Sequence, residues 1–429
     1  MLRGYAGTGK TTIVSALVDT LPSFNLKPLL MAPTGRAAKV MASYSERNAY
    51  TIHKIIFQRA ADPYTGQMQF RRRRNYQKNT LFVVDEASML SDEASFGRNS
   101  LLSDLMEYVF EQSSNRLMLI GDAAQLPPVG QFLSKGLDSD YLEKHYRLNI
   151  FETELTEVMR QEQRSGILMN ATALRNLLGI EDFTIQLRTR GFTDVYRMMS
   201  DRLEDGLRYA YDKYGKDNTA IICRSNREAV QYNRYIRHQV FFQESEIEAG
   251  DYLMIVKNNY FFVEDDSPVS FLANGDFAEV MKVVTFEELY DLRFATLEIR
   301  LLDYPDLPSL QVKVILDTLH SPTSALPEDA YQSLYDQVLN DYQDCATVQE
   351  QREAIRKDEY LNALQVKFAY ALTCHKSQGG QWDAVFVDQG YLIEERINQE
   401  YLRWLYTAVT RAKKELFFMN FKETFFEKG

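Results

Sequence analysis

The chain opens with a phosphate-binding motif that only three residues precede. Residues 4–11 read GYAGTGKT and match the pattern G-x-x-x-x-G-K-[ST] without a mismatch. In such a loop successive backbone N–H groups converge on one point, where the following helix presents its positive end. The glycines let a phosphate approach the backbone because no Cβ stands in the way. The motif therefore predicts a nucleotide site at the first strand-to-helix turn of an α/β sheet.

The roles within the motif follow from the chemistry of its residues. The Lys10 ammonium would place a positive charge on the β- and γ-phosphates, and the Thr11 hydroxyl would bind Mg²⁺. An apolar helix from Ile13 to Leu21 is expected next, which makes a chance match in a glycine-containing turn a poor alternative. The predicted nucleotide-binding residues of the loop are Gly4, Ala6, Gly7, Thr8, Gly9, Lys10, Thr11 and Thr12.

The strand that normally precedes such a loop is not evident in the sequence. Only Met1, Leu2 and Arg3 stand before Gly4, fewer residues than a strand usually has. A strand at this position would lie inside a parallel sheet, where neighbours on both sides expect its hydrogen bonds. We therefore expect the N-terminal strand to be missing and the chain to be clipped before Met1.

Length and composition limit the classes of protein. The chain has 429 residues, which suits two or three domains, and its 25% of charged residues is ordinary for a globular protein. No apolar run approaches the ~20 residues of a membrane helix, so no membrane partner is expected. Three scattered cysteines suit a reducing cytoplasm and show no metal spacing. The net charge of -11 argues against a generally basic nucleic-acid binder but leaves room for a local basic groove.

Alternating strand and helix patterns predict an α/β fold with parallel sheets. Each predicted strand of the first sheet ends in polar residues, and ligands of open α/β sheets bind beyond the carboxyl ends of the strands. These ends should therefore converge on the phosphate loop. The predicted strands of the first sheet are 28–32, 81–84 and 116–120, and those of a second sheet are 219–223, 366–371, 384–387 and 415–419.

Two segments interrupt this alternation. Residues 250–365 form an insertion in which period-2 patterns predict a small β-barrel and the acidic stretch at 327–364 predicts a helical appendage. Residues 53–78 predict a small hairpin around a turn, with a plain surface loop as the alternative. The expected domains are a first lobe at 1–155, a second lobe at 156–250 and 366–429, and a barrel insertion at 251–365. The barrel strands are expected near 252–256, 278–284, 295–302 and 310–316.

Polar side chains at the strand ends suit triphosphate hydrolysis. Asp85 and Glu86 follow four apolar residues. Asp85 would hold Mg²⁺ through water, and Glu86 would deprotonate the attacking water. A solvent-facing acidic pair is the alternative. Gln125, within GDAAQLPPV, suits a sensor of the γ-phosphate, although a polar turn held by two prolines would explain the same residues.

The order of these motifs resembles that of superfamily 1B DNA helicases, and within them the RecD and Dda branch. The similarity spans positions 4 to 412 and implies two RecA-like lobes with an SH3-like barrel in the second lobe. The adenine-contacting glutamine that precedes the phosphate loop in this family has no counterpart. The matching segments are GTGKT at 7–11, APTGRAA at 32–38, TIH at 51–53, DEASM at 85–89, GDAAQLPPV at 121–129, LTEVMRQ at 155–161, TCHKSQG at 373–379 and LYTAVTRA at 405–412.

The resemblance also implies the residues of an ATP site shared by the two lobes. Arg160 and Arg411 would reach the γ-phosphate when the lobes close, because charge on the phosphoryl oxygens is stabilised by cations. For Arg411 the alternative is a cation on a helix surface. Gln378 and Gly379 would lie near the nucleotide, and the implied cofactors are ATP and Mg²⁺. The implied catalytic residues are Lys10, Asp85, Glu86, Gln125, Arg160 and Arg411, with Thr11 and Asp85 at the metal.

Single-stranded DNA and ss/ds junctions are the implied partners. Hydroxyls, neutral imidazoles and backbone amides suit phosphate and sugar contacts that do not read sequence, although a structural role explains either histidine equally well. The hairpin at 53–78 resembles an element that splits duplex, with Tyr64 or Phe70 at the base pair. The implied DNA-binding residues are Pro33, Thr34, Arg36, Thr51, His53, Thr373, His375 and Ser377.

The sequence thus predicts an ATP-dependent helicase that moves along single-stranded DNA and opens duplex in repair, recombination or replication. The resemblance implies 5′ to 3′ movement. We expect a cytoplasmic monomer that meets repair or replication proteins. A translocase subunit of a nuclease complex is the alternative. A P-loop kinase or an inactive DNA-binding scaffold fits less well, since a kinase needs no second sheet that ends in Thr410 and Arg411.

Overall fold

A computed structural model describes residues 1–61, 68–93, 99–158, 165–263, 269 and 271–427, with the backbone alone at 59–61, 68–70 and 394. The chain forms two compact units. The first comprises Met1–Phe57, Arg72–Arg224 and Thr373–Gly429, and the second comprises Gln58–Arg71 and Ser225–Leu372. Among the described residues, no helix has both the length and the apolar character that a membrane span requires.

The strands and helices are numbered in chain order. The strands are β1 (Leu2–Gly4), β2 (Lys27–Ala32), β3 (Ala49–Thr51), β4 (Phe57–Ala61), β5 (Met68–Arg72), β6 (Thr80–Val84), β7 (Arg116–Gly121), β8 (Thr153–Leu155), β9 (Val195–Met198), β10 (Thr219–Cys223), β11 (Tyr252–Ile255), β12 (Phe277–Leu289), β13 (Leu292–Leu301), β14 (Leu310–Ile315), β15 (Leu364–Phe368), β16 (Ala371–Thr373), β17 (Trp382–Asp388) and β18 (Ala412–Met419). The α-helices are α1 (Lys10–Thr20), α2 (Gly35–Ser45), α3 (Ile52–Ile56), α4 (Leu101–Phe110), α5 (Ser139–Tyr146), α6 (Gly166–Asn176), α7 (Leu203–Tyr214), α8 (Asn226–Tyr235), α9 (Asp317–His320), α10 (Glu328–Asp341), α11 (Val348–Lys357), α12 (Cys374–Ser377) and α13 (Gln399–Val409).

The first unit contains two parallel sheets, as predicted. The first sheet has the strand order β3-β2-β6-β7-β1-β8, and the second has the order β16-β10-β17-β18-β9. Side chains alternate between the faces of a strand. In β6, Val83 joins the core cluster that contains Val14 and Val18 of α1, whereas Phe82 joins the cluster that contains Leu105 of α4. Helices therefore cover both faces of the first sheet, which is the arrangement of a RecA-like lobe.

The strand that was expected to be missing is present. Leu2–Gly4 pairs in parallel with β7 on one side and with β8 on the other. The carbonyl oxygen of Met1 also accepts a hydrogen bond of 3.0 Å from the Thr153 amide. The prediction was wrong because it judged the strand by its length. Three residues suffice here, since neighbours on both sides complete the ladder.

The second sheet differs from its prediction in one strand. Residues 219–223, 384–387 and 415–419 lie in this sheet as predicted, within β10, β17 and β18. The predicted strand at 366–371 is wrong, because the chain there divides between β15, which belongs to the barrel, and β16. An apolar run of this length gives no sign of where one strand ends and the next begins.

The second unit is built on a closed barrel of β11-β12-β13-β14-β15. Four of these strands lie where alternating patterns predicted them, and β15 is the addition. The acidic stretch forms α10 and α11, as expected of a helical appendage. Leu334 and Val338 of α10 are fully buried in one cluster with Phe294 and Ile315 of the barrel.

The second unit begins earlier and ends later than the predicted insertion at 251–365. Asn233 of α8 explains the difference. Its side-chain amide donates to the carbonyls of Phe368 and Ala371, both at 3.0 Å, and its side-chain oxygen accepts from the Tyr370 and Ala371 amides. Helix α8 is thereby tied to the chain that leaves the barrel.

The segment predicted as a hairpin contains a two-stranded sheet of β4 and β5. The turn between these strands, at 62–67, lies outside the described residues. Tyr64 and the side chain of Phe70, which the sequence placed at a base pair, therefore also lie outside the described part of the chain.

A buried ion pair provides a test of the second unit. Arg237 donates from Nε and Nη2 to the two Asp251 oxygens at 2.9 Å each, and both residues are almost wholly buried. We expect Arg237→Met to lower the free energy of unfolding by about 3–5 kcal/mol, because an uncompensated carboxylate remains buried.

The matched control is Arg300→Met, since Arg300 pairs with Glu279 at a half-exposed position. Its loss should cost less than about 1 kcal/mol. Urea titrations of the full chain compare the two variants, and equal losses of stability would contradict this account of the buried pair.

Candidate functional site

The phosphate loop has the backbone that its glycines permit. Gly7 and Gly9 adopt φ angles of 73° and 80°, in the left-handed region. A Cβ on Gly4 would lie 2.8 Å from Thr8 Oγ1, which is too close for a real contact. Gly9 stands at the N-cap of α1 and supplies no side-chain cap, and the first turn of α1 has no acidic residue. The helix amides are therefore left for an anion.

Lys10 is the cation of this loop. Its Nζ donates to the carbonyl oxygens of Gly4 at 2.8 Å and Tyr5 at 2.9 Å, so the ammonium folds back over the loop. Thr8 is buried and donates to the same Tyr5 carbonyl at 2.8 Å. Thr11 and Thr12 lie exposed in the first turn of α1.

The acidic pair lies at the carboxyl end of β6. Asp85 Oδ2 accepts a hydrogen bond of 2.9 Å from the Tyr44 hydroxyl, and Oδ1 accepts one of 2.8 Å from the Glu86 amide. The backbone of Glu86 has a φ of 52°, which turns the chain sharply into the 3₁₀ turn Ala87–Met89. Tyr44 was not predicted, because a tyrosine in the middle of α2 gives no sign of a partner 41 residues away.

The burial of Glu86 suits this carboxyl to accept a proton. Burial raises the pKa of Glu86 to about 6, and the positive charges of Arg411 and Lys10 oppose this rise. Burial also raises the pKa of Asp122, and the Lys10 charge again opposes the shift. A carboxyl with a pKa near neutrality is suited to take a proton from water.

Helix α13, which packs with the second sheet, forms hydrogen bonds to the loop that follows β7, at residues 122–126. The side chains of α13 that do so lie on one face, three and four residues apart. Since three side chains of one helix bind three residues of this loop, the second sheet is held in a fixed position against the first at this point. The contacts are Arg403 Nη1 to the Ala123 carbonyl, Tyr406 Oη to Asp122 Oδ2 at 2.5 Å, and the Leu126 amide to Thr407 Oγ1 at 2.9 Å.

Two further contacts join the same surfaces. The Ala6 amide of the phosphate loop donates to the Tyr406 hydroxyl at 3.0 Å. Gln378 Nε2 donates to the Leu126 carbonyl at 2.7 Å. Gln378, which was expected near the nucleotide, thus lies beside the loop after β7. Sequence reasoning missed Arg403, Tyr406 and Thr407, although Tyr406 and Thr407 belong to the segment LYTAVTRA.

Arg411 is buried, with 3% of its surface exposed. Its guanidinium donates to the carbonyls of Thr407 and Gly380, both at 3.1 Å, and to Thr410 Oγ1 at 3.2 Å. Its charge opposes the rise that burial causes in the pKa values of Glu86 and Asp122, so it acts on the acidic groups of the first sheet. The alternative of a cation on a helix surface is excluded. Arg160 lies outside the described residues.

A cavity of about 290 Å³ borders the loop after β7. Ser88, Gln125, Arg3 and Arg403 are among its lining residues. Gln125 Oε1 and Ser88 Oγ are buried and have no hydrogen-bond partner within the described chain. Buried polar atoms seldom stay unpaired, so these two atoms mark a place for water or a polar ligand group.

The first group of predicted DNA-binding residues lies around the start of α2. Thr34 Oγ1 accepts from the Ala37 amide at 3.2 Å and caps the helix. The Arg36 guanidinium lies 4.2 Å from the centre of the Trp382 ring and donates to the Gln381 carbonyl at 3.2 Å. Pro33 is half-buried beside them. These residues therefore face the chain at 379–382 of the second sheet.

Gly379, predicted near the nucleotide, lies against α2. It has a φ of 73°, and a Cβ at this position would lie 3.0 Å from Thr34 Oγ1 and 3.1 Å from Ala37 Cβ. A glycine is needed because the backbone of the second sheet's loop approaches the first sheet's helix this closely.

Thr51 and His53 lie at the start of α3. Thr51 Oγ1 accepts from the Lys54 amide at 3.3 Å and caps this helix. Burial lowers the pKa of His53 to about 4, and its ring lies 5.5 Å from the Phe57 ring. The imidazole is therefore neutral at physiological pH and offers a hydrogen bond rather than a charge.

The segment TCHKSQG at 373–379, beside the second sheet, contains both half-buried and fully buried residues. Thr373 and His375 are half-buried, and burial lowers the pKa of His375. Ser377 is wholly buried, and its hydroxyl donates to the Cys374 carbonyl at 2.7 Å. The prediction that Ser377 contacts DNA is wrong in this structure, because its hydroxyl stabilises the turn of α12.

Two family models match the chain. An AAA domain matches residues 1–177, and a UvrD-like helicase C-terminal domain matches residues 368–419. The first match contains the phosphate loop, Asp85 and Gln125, and the second contains Gln378 and Arg411. The two matched regions therefore contain the surfaces that meet at the loop after β7.

Known proteins match most of the chain. An uncharacterized protein, R530, of Acanthamoeba polyphaga mimivirus is 26% identical over 97% of this chain and 94% of its own length. The ATP-dependent DNA helicase Dda of Enterobacteria phage T4 is 24% identical over 66% of this chain and 62% of its own length. The chain covers 16%, 62% and 64% of the length of three named helicases that match it in sequence: RecD2 of Deinococcus radiodurans, Dda, and Pif1 of a Psychrobacter species.

A solved structure shares the fold. It belongs to work on DNA unwinding at forked dsDNA by two coordinating Pif1 helicases. Its TM-score is 0.50 at 16% identity, and the match covers all of this chain and 90% of the other. At this level of identity the likeness concerns the fold of two RecA-like lobes and a barrel.

The raised pKa of Glu86 predicts a pH-dependent gain of stability for Glu86→Gln. The folded state holds this carboxyl at a pKa of about 6 against an ordinary value of 4.5. Above pH 6 the wild type keeps an unfavourable charge that glutamine lacks, so the variant should be the more stable. The difference should shrink as the pH falls toward 4.5 and the carboxyl becomes protonated in both states.

Urea midpoints at pH 7.5 and pH 5 measure this difference. Glu46→Gln, at an exposed position of the same lobe, serves as the control and should change neither midpoint. A variant that is less stable than the wild type at pH 7.5 would contradict the unfavourable burial of Glu86.

Proposed function

We propose that this chain, which belongs to the superfamily 1B helicases, is an ATP-driven motor that moves along single-stranded DNA and separates duplex. The observation that carries the proposal is that Arg411 of the second lobe is buried and that its charge acts on the pKa values of Glu86 and Asp122 in the first. A site divided between two lobes suits the coupling of ATP hydrolysis to lobe movement. Hydrolysis can only follow closure of the lobes, and product release can only follow their opening.

The residues of the first lobe fit a nucleoside triphosphate. The loop at 4–11 leaves uncapped amides at the start of α1. A Cβ on Gly4 would collide with the side chains of Thr8 and Lys10 in this loop. Lys10 can leave its two carbonyl partners for a phosphate, since an ionic partner is the stronger acceptor. We infer that this loop binds ATP.

We also propose Mg²⁺ as the metal. Within the described residues no group of three or more histidine, cysteine or acidic side chains forms a metal site. This fits Mg²⁺, which usually takes most of its ligands from phosphates and water. The Thr11 hydroxyl would bind it directly, and Asp85 would hold it through water while Tyr44 orients the carboxylate.

The chain's own residues then divide the work of hydrolysis. When bound, ATP and Mg²⁺ supply the γ-phosphoryl group and neutralise part of its charge. Glu86 accepts the proton of the attacking water, and the unpaired Gln125 oxygen orients that water. Arg411 stabilises the charge that develops on the phosphoryl oxygens. We assign a similar role to Arg160 by its place in the motif at 155–161.

For DNA we propose contacts along the segments that the two lobes present near 33–36, 51–53 and 373–375. Thr34 and Thr51 stand at the N-caps of α2 and α3, and each hydroxyl can donate to a phosphate oxygen while it accepts the capping amide. The neutral His53 and the half-buried His375 and Thr373 can add hydrogen bonds. Such contacts do not read sequence. Arg36 would serve by holding Trp382 rather than by direct contact.

The translocase subunit of a nuclease complex remains the second candidate, since it would use the same site without unwinding alone. A P-loop kinase is disfavoured because the buried Arg411 and the contacts of α13 have no purpose in a one-lobe site. An inactive scaffold is disfavoured because strand β1 is formed and the loop is intact.

Stimulation of ATP hydrolysis by single-stranded DNA tests the motor. We expect the steady-state rate to rise at least about tenfold when an oligonucleotide is added, because hydrolysis should require the closed lobes. Lys10→Ala should abolish turnover at every DNA concentration and leave oligonucleotide affinity within a few-fold of wild type.

Lys39→Ala, at an exposed position on α2, is the charge-matched control and should keep the stimulated rate. A folded wild type that binds ATP and hydrolyses it equally with and without DNA would refute the motor. Hydrolysis by Lys10→Ala would refute the assignment of the phosphate loop.

We propose 5′ to 3′ movement, which rests on the family likeness. Two duplex substrates distinguish the two directions of movement. One carries a single-stranded tail at the 5′ end, and the other carries it at the 3′ end. Strand displacement should occur from the 5′ tail. Displacement from the 3′ tail alone would contradict the superfamily 1B direction, and no displacement from either would favour the translocase subunit.

A further inference from the structure

We propose that Tyr406 is a positioning residue of the hydrolysis site, a role that rests on the proposed function. Its hydroxyl joins the phosphate loop and the loop after β7 to the helix that leads to Arg411. Tyr406 would thereby fix the position of the second lobe, and of its Arg411, relative to the first lobe. It acts through the phosphate loop and the loop after β7, which its hydroxyl bonds.

The Tyr406 hydroxyl uses both of its hydrogen-bonding capacities between the lobes. It donates to Asp122 Oδ2 at 2.5 Å and accepts from the Ala6 amide at 3.0 Å. The residue is 1% exposed, so water cannot easily replace either partner. Burial raises the pKa of Tyr406, and the neighbouring Asp122 charge adds to this rise, so the phenol remains protonated and able to donate.

Each partner of Tyr406 belongs to a separate part of the site. Ala6 lies in the first half of the phosphate loop, four residues before Lys10. Asp122 Oδ1 accepts from the Ala124 amide at 2.9 Å and so shapes the loop that bears Gln125. One hydroxyl therefore connects the loop that holds phosphate with the loop that bears the proposed water-orienting residue.

The helix that carries Tyr406 links its position to that of Arg411. Helix α13 ends at Val409, and Arg411 follows directly before β18. Arg411 Nε bonds the carbonyl of Thr407, the neighbour of Tyr406, at 3.1 Å. A small rotation of α13 would therefore move the guanidinium together with the phenol. Arg403 and Thr407 also bind the loop after β7, but the bond to the phosphate loop comes from Tyr406.

The role of Tyr406 predicts that Tyr406→Phe slows ATP hydrolysis but leaves nucleotide binding intact. Phenylalanine keeps the ring and its packing but leaves the Ala6 amide and one Asp122 oxygen without a buried partner. Phosphate binding should persist, because Lys10 and the amides at the start of α1 are untouched. The hydrolysis step should suffer, because a loosely held catalytic group costs rate more than affinity.

The experiment compares Tyr406→Phe with wild type in the full chain. We expect kcat of DNA-stimulated ATP hydrolysis to fall about 10- to 100-fold, and the Kd for ADP from titration calorimetry to stay within about threefold. Tyr401→Phe is the matched control. Tyr401 lies on the same helix, is 3% exposed and packs on Trp404 and Phe425. This variant should keep both values within about twofold.

A second variant and a double mutant separate positioning from simple stability. Asp122→Asn weakens the other end of the bridge and should show the same loss of kcat at constant ADP affinity. If the bridge acts as one unit, the double variant Tyr406→Phe with Asp122→Asn should be no slower than the slower single variant. Should Tyr406→Phe fail to fold, Asp122→Asn alone decides between the two roles.

The result that would overturn the role of Tyr406 is a Tyr406→Phe enzyme with wild-type kcat. A loss of kcat that matches the loss of ADP-binding sites would also overturn it, since it would reflect unfolded protein. Failure of the motor itself is distinguishable, because it appears in the wild type as hydrolysis that DNA does not stimulate, whatever Tyr406→Phe does.

Discussion

The hydrogen bonds between helix α13 and the loop at 122–126 are the constraint on which the rest of the site depends. Arg403, Tyr406 and Thr407 lie on one helix face and bind backbone and carboxylate groups of that loop. These contacts hold two RecA-like lobes together, and the charge of the buried Arg411 in the second lobe opposes the rise in the pKa values of Glu86 and Asp122 in the first. Without these contacts nothing in the loop at 122–126 would fix the position of α13, and with it the position that we propose for Arg411 in the site.

Local motifs made a large part of this arrangement predictable. The phosphate loop, Asp85 with Glu86, and Gln125 each follow a strand whose apolar run is evident in the sequence, and the polar groups come together because parallel strands end at one edge. The family likeness extended the prediction to the second lobe, and its RecA-like sheets and barrel are confirmed. Arg411 was placed by its motif, and its burial agrees with a role inside the protein rather than on a helix surface.

Contacts between distant segments were not predictable. Tyr44 and Tyr406 are ordinary helix tyrosines until the fold brings Asp85 and Asp122 to them. Ser377 was misjudged because its motif does not reveal that its hydroxyl bonds the Cys374 carbonyl. Strand β1 was dismissed on length, although pairing on both sides stabilises even three residues. The unit that contains the barrel extends to α8 because a single buried residue, Asn233, ties that helix to the exit of the barrel.

The most direct measurement of the central claim is ATP turnover by Arg411→Ala in the presence of single-stranded DNA, with ATP affinity determined on the same sample. If the second lobe completes the site, kcat should fall at least about 10³-fold while ATP still binds within a few-fold of wild type. A variant that hydrolyses ATP at the wild-type rate would show that the first lobe works alone, and the shared site would have to be abandoned.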